Sequence, residues 1–170
     1  MFPPTYVPPP PVSEVHLIDR CLVATDVLDR FFDALSYFEG ETPDVVVLRS
    51  LLSTSARVTE VHPSQTLTMS AVAWLASMVA QSRGSTHSVF MRVRQGSVKT
   101  SGPDQIVLHH VVDEKRTRRD LTETVSPLLC TMAIRFEPKG ARIAEVTLDH
   151  TGRRPRGVRD RTRTKPTPIR

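Results

Sequence analysis

The chain has 170 residues, 39% of them hydrophobic and 24% charged, which fits one folded domain with a core of its own. Cys21 and Cys130 stand far apart without CxxC spacing, which argues against a zinc site and a disulfide framework, and no metal or cofactor is expected. No apolar stretch reaches the ~18 residues that span a bilayer, and no charged-then-apolar leader opens the chain, so the expectation is a soluble, intracellular protein.

Residues 1–12 hold six of the 14 prolines and read as an extended Pro-rich arm. Residues 13–150 read as the folded domain and 151–170 as a disordered basic tail. From Gly152 to Arg170 eight cations, among them Arg153, Arg154 and Arg156, face Asp160 alone; that is +7 of a chain total of +5, leaving −2 elsewhere. Within the domain, the apolar run 15–24 predicts a strand, with a helix as the alternative. Asp26 predicts a capped helix to about Phe38, closed by Gly40. Val45–Leu52 and Arg57–Val61 predict strands around a turn at Ser53–Ser55. Met69–Ser82, closed by Gly84, predicts a helix. Strands are expected over His87–Arg94, Gln105–Val112, Leu129–Phe136 and Ile143–Leu148. The sum is an α+β domain: an antiparallel, sandwich-like sheet with about two helices.

Motifs for catalysis are absent. The seven glycines form no GxGxxG, P-loop or GxSxG pattern, and histidines 16, 62, 87, 109, 110 and 150 show no metal spacing. His109 and His110 fall in a strand and point to opposite faces. Asp26, Asp29 and Asp33 read as the wet face of a helix. Nothing here argues for an enzyme.

Binding motifs are more specific. Pro3, Pro4 and Tyr6 form PPxY, a WW-domain ligand whose prolines are preset in polyproline II. The helix at 69–82 carries two apolar stripes: Val72, Leu75, Ala76 and Val79 as the core face, then Ala71, Trp74 and Met78, which either complete a fully buried helix or, as the leading expectation, form a self-association face anchored by Trp74. Phe90, Arg92 and Arg94 share one strand face, suited to base stacking and phosphate in RNA, or to plain solvation. Lys115, Arg116, Arg118 and Arg119 form a loop cluster which, with the tail, would attract anionic membrane lipid or nucleic-acid phosphate.

The stretch Met69–Gly96, with Leu75–Ala76–Ser77, Gly84 and Arg92–Val93, resembles the N-terminal domain of filovirus matrix proteins, and its single-domain size is similar to that of bornavirus matrix proteins. The resemblance implies a dimer helix with Ser70, Trp74 and Leu75 at the interface, RNA contact by Arg92, and recruitment of a host WW-domain ubiquitin ligase through Pro3, Pro4 and Tyr6. Arg83 replaces the family's RNA-stacking aromatic. The leading expectation is therefore a viral matrix protein: a homo-oligomer at the inner face of the host membrane and in the virion, linking lipid to the viral nucleoprotein and driving budding. The alternatives are a viral nucleic-acid-binding protein (a silencing suppressor or nucleocapsid accessory) and a WW-domain-binding adaptor.

Overall fold

The computed structural model describes residues 14–152, and every structural statement below concerns them. Ala24, Val27, Leu28, Phe31, Phe32 and Leu35 recur at spacings of three and four, and all are buried. That stripe anchors the second half of one helix, α1 (Glu14–Leu35), which also takes in residues 15–24, where a strand was the leading expectation and a helix the alternative. Phe31 and Phe32 meet edge to face at 5.3 Å between ring centres. Burial of each ring contributes about 3 kcal/mol.

Val45–Leu51 is a helix, α2, where β-branched residues predicted a strand. The Asp44 carboxylate accepts from the N–H groups of Val46 and Val47 at 3.1 and 3.0 Å, and this cap decides the short segment against its intrinsic preference. Strand β1 (Leu52–Val61) then absorbs the turn expected at Ser53–Ser55. It pairs with β2 (Thr66–Ser70), an element the sequence did not announce. Helix α3 (Ala71–Ser82) matches its expectation closely, with Gly84 following it at φ +71°. Four long strands complete the domain: β3 (His87–Thr100), β4 (Gln105–Arg118), β5 (Glu123–Glu137) and β6 (Gly140–Asp149).

The strands form one six-stranded sheet in the order β2-β1-β6-β5-β4-β3. Only the β1–β6 pairing is parallel. The α+β class is as expected, but no sandwich forms: helices, not a second sheet, cover the buried face. Val58, Leu108, Val112, Leu128, Cys130, Met132, Val146 and Leu148 fill that face. Burial pushes the Cys130 thiol up to about 12, so it stays protonated and serves as a small apolar side chain.

Register between β3 and β4 shifts between Val93 and Gly96, and Gly96 lies against His110. A Cβ at position 96 would stand 2.2 Å from His110 Nδ1 and 2.5 Å from the His109 carbonyl oxygen. The imidazole could swing aside, whereas the carbonyl is held in the β4 ladder. Gly96→Ala is expected to cost about 2–3 kcal/mol in urea unfolding. An unchanged midpoint would show that the β3–β4 bulge yields freely.

Candidate functional site

Alternation along a strand sends every second side chain to one face. Continuing the buried series to the strand ends, Val58 leads to Glu60 and His62, Val112 to Glu114 and Arg116, and Leu148 to His150. All these polar groups line one cavity of about 330 Å³, at the end of the sheet where β1 and β6 finish and β4 runs on past them. That volume lies at the small end of the ~300–1,000 Å³ typical of small-molecule sites. Leu35, Leu67, Met78, Val89, Leu128 and Leu148 give the cavity an apolar wall, while Gln65, Gln81, Ser82 and His87 add further polar groups to its lining. Tyr37 also lines the cavity, held by a two-way backbone bridge to Val89 with both bonds at 2.8 Å.

Glu60 is the best-held polar group. Its Oε1 accepts the indole N–H of Trp74 at 2.8 Å, and its Oε2 lies 3.4 Å from His62 Nε2. The His62 ring stacks on the His150 ring at 4.6 Å, with 4° between the planes. A backbone bond from His150 N–H to Val61 C=O (2.8 Å) fixes the two rings opposite each other. Burial, then the neighbouring His62, holds His150 below the ordinary imidazole range. Glu114 is 8% exposed, and the guanidinium Nε–H of Arg116 donates to its carboxylate. Stacked rings do not converge their nitrogens on one point, and among the described residues no group of His, Cys, Asp and Glu could hold a metal ion.

Several expected site residues do other work. Trp74, read as the self-association anchor, is 2% exposed and stacks on Phe31 at 5.9 Å inside the domain. Leu75 is buried beside it, Ser70 caps α3 by accepting the Ala73 N–H at 3.3 Å, and Met78 lines the cavity. Of the expected core stripe of α3, Leu75 is buried and Val79 half-buried, whereas Val72 and Ala76 are exposed and Ala71 and Trp74 take the core instead. The β1–β2 hairpin and α1 both present apolar surface to the Trp74 side, and the larger ring takes it.

Lys115–Arg118 belong to strand β4, not to a loop, so their cations alternate between faces. Lys115 pairs with Glu123 at 2.6 Å, Arg116 with Glu114, and Arg119 with Glu39, while Arg118 is exposed. The expected cationic cluster is therefore dispersed and largely neutralised. Phe90, Arg92 and Arg94 do share the outer face of β3. Phe90 meets Phe38 edge to face at 5.3 Å, and Arg94 grips Asp113 through two bonds of 2.5 and 2.9 Å, leaving Arg92 exposed. Pro3, Pro4, Tyr6, Arg153, Arg154 and Arg156 lie outside the described residues.

Glu60, His62, His150 and Glu114 escaped the sequence reading as a group. The available signal was parity: polar residues extending an inward-facing apolar series to the strand's end.

No family model and no curated protein matches the sequence. Solved structures do resemble the fold. A candidate aromatic ring hydroxylase from Novosphingobium aromaticivorans matches 79% of this chain and 90% of its own at TM-score 0.64 and 12% identity. A candidate dehydratase of the NTF2-like family from Streptomyces avermitilis matches 78% and 97% at TM-score 0.62 and 15% identity. The association domain of C. elegans CaMKII matches 79% and 95% at TM-score 0.56 and 13% identity. At such identities the likeness shows the fold alone, which is NTF2-like.

His109, like His150, is held below the ordinary imidazole range, first by burial and then by Lys99. For both groups the unfolded chain binds protons more readily than the folded one. Their contribution is complete above the ordinary imidazole value of about 6.5 and is lost as pH falls below it. Thermal unfolding is therefore expected to shift to lower temperature as the pH falls from about 7.5 to 5.5. His150→Gln should reduce that shift, and an unaltered pH profile in the variant would remove His150 from the account.

Proposed function

We propose that the chain binds a small, largely apolar molecule in the cavity under α3 and moves a proton on it, with Glu60 as the base. The observation that carries this reading is that Glu60, His62 and His150 meet in one cavity that also has an apolar wall. A carboxylate acts as a general base only when it is held within reach of the proton it takes. Trp74 holds one oxygen of Glu60, and the other faces His62, a half-exposed imidazole that can hand a proton on to solvent at the mouth. The fold shared with a candidate dehydratase and a candidate hydroxylase supports the reading.

The expectation of a non-enzyme rested on missing nucleotide, metal and nucleophile motifs. Such motifs are contiguous, and an acid–base site assembled from the ends of three strands leaves none. Self-association remains part of the proposal, supported by the fold shared with a kinase association domain, but its surface is not Trp74. The matrix reading, with its WW-domain, lipid, RNA and nucleoprotein partners, leans on the PPxY arm and the basic tail, and the fold lends it no support.

One- and two-ring ketones incubated with the protein in heavy water provide the test. Those that bind are expected to gain deuterium at the carbon beside the carbonyl, seen by NMR. Glu60→Gln, which still accepts the Trp74 bond, should slow that exchange about 100-fold or more. Equal exchange in the variant would remove Glu60 as the base, and failure of every ketone to bind would remove the cavity as the site.

A further inference from the structure

We infer that the cavity selects organic cations, molecules with an apolar ring body and a basic nitrogen, over organic acids of the same shape. The inference rests on the reading of the cavity as a ligand site and adds the charge class of what it takes. Three charged side chains line the cavity: Glu60, Glu114 and Arg116. Arg116 is committed to Glu114, a carboxylate so buried that losing its guanidinium partner would leave it stranded. An incoming acid would have to compete with Glu114 for that cation.

Glu60 has no such partner. Its side chain is 22% exposed, and its two oxygens meet the neutral indole N–H of Trp74 and the ring of His62. With the three lining imidazoles, His62, His87 and His150, neutral, the lining carries one uncompensated negative charge, and that charge belongs to Glu60. A carboxylate shielded from water by the indole and the apolar walls attracts an ammonium and repels a second carboxylate. In a medium of intermediate dielectric that contrast exceeds tenfold in affinity. The apolar side chains of Leu35, Met78, Val89 and Leu128 would receive the ring body.

Calorimetric titration of the full chain with three matched probes tests the inference: 2-naphthylmethylamine, 2-naphthylmethanol and 2-naphthoate, at about pH 8, where imidazole is neutral. The amine is expected to bind at least ten times more tightly than the naphthoate, with the alcohol between them. In Glu60→Gln the amine should lose tenfold or more, and its advantage over the naphthoate should disappear. Equal affinity for amine and acid, or a preference that survives Glu60→Gln, would overturn the charge selection and leave the cavity standing as a site. Binding of none of the three would overturn both the selection and the cavity.

Discussion

The indole of Trp74 is the point at which three elements become one structure. Its ring lies flat on Phe31 of α1, its backbone belongs to α3, and its N–H holds Glu60 at the end of β1. An aromatic pair of this kind contributes about 1 kcal/mol beyond its buried area. The bond to a carboxylate contributes a similar or larger amount, because an unsatisfied carboxylate in that position would be costly. The consequence is geometric as much as energetic. Helix α3 cannot shift along the sheet without releasing Glu60, so the packing of the domain and the orientation of its proposed base are set by one side chain.

How far the sequence disclosed this depends on the range of the information required. Helix α3 was legible because its cap, its apolar spacing and Gly84 are all local. Four of the long strands were legible because their apolar series alternates over many residues. Val45–Leu51 misled because the deciding interaction is a single carboxylate, Asp44, in front of a β-branched run. The first half of α1 misled because its own apolar residues do not face the core: Leu17, Ile18 and Leu22 are exposed, and the stripe that holds the helix lies further along, from Ala24 to Leu35. The direction of Trp74 was not readable at all, since it depends on where α1 and β1 come to rest.

The candidate site was legible only in pieces. Glu60–His62 and Glu114–Arg116 are each spaced by two on a strand, which puts each pair on one face. What the linear order hides is that β1 and β6 end at the same height in the sheet, Val61 beside Asp149, while β4 runs on past them and carries Glu114 and Arg116 over the cavity. Charge was misread for the related reason that a basic run looks like a patch in one dimension. In β4 the sheet splits Lys115–Arg118 between its two sides, and Glu114 and Glu123 answer Arg116 and Lys115 from within the same hairpin.

The parallel pairing of β1 with β6 bears on the order of assembly. β6 sits between β1 and β5, so the centre of the sheet stays open until the last strand of the domain is made. The β3–β4–β5 meander can form from neighbouring segments, whereas β1, already paired with β2, waits for a partner 88 residues downstream, from Arg57 to Glu145. Non-local pairing of this kind slows folding, because the intervening chain must be closed before any contact rewards it. During synthesis the chain therefore carries two preformed halves with raw strand edges facing each other. The insertion of β6 both joins the halves and brings His150 against His62, so completion of the sheet and completion of the cavity are a single late event.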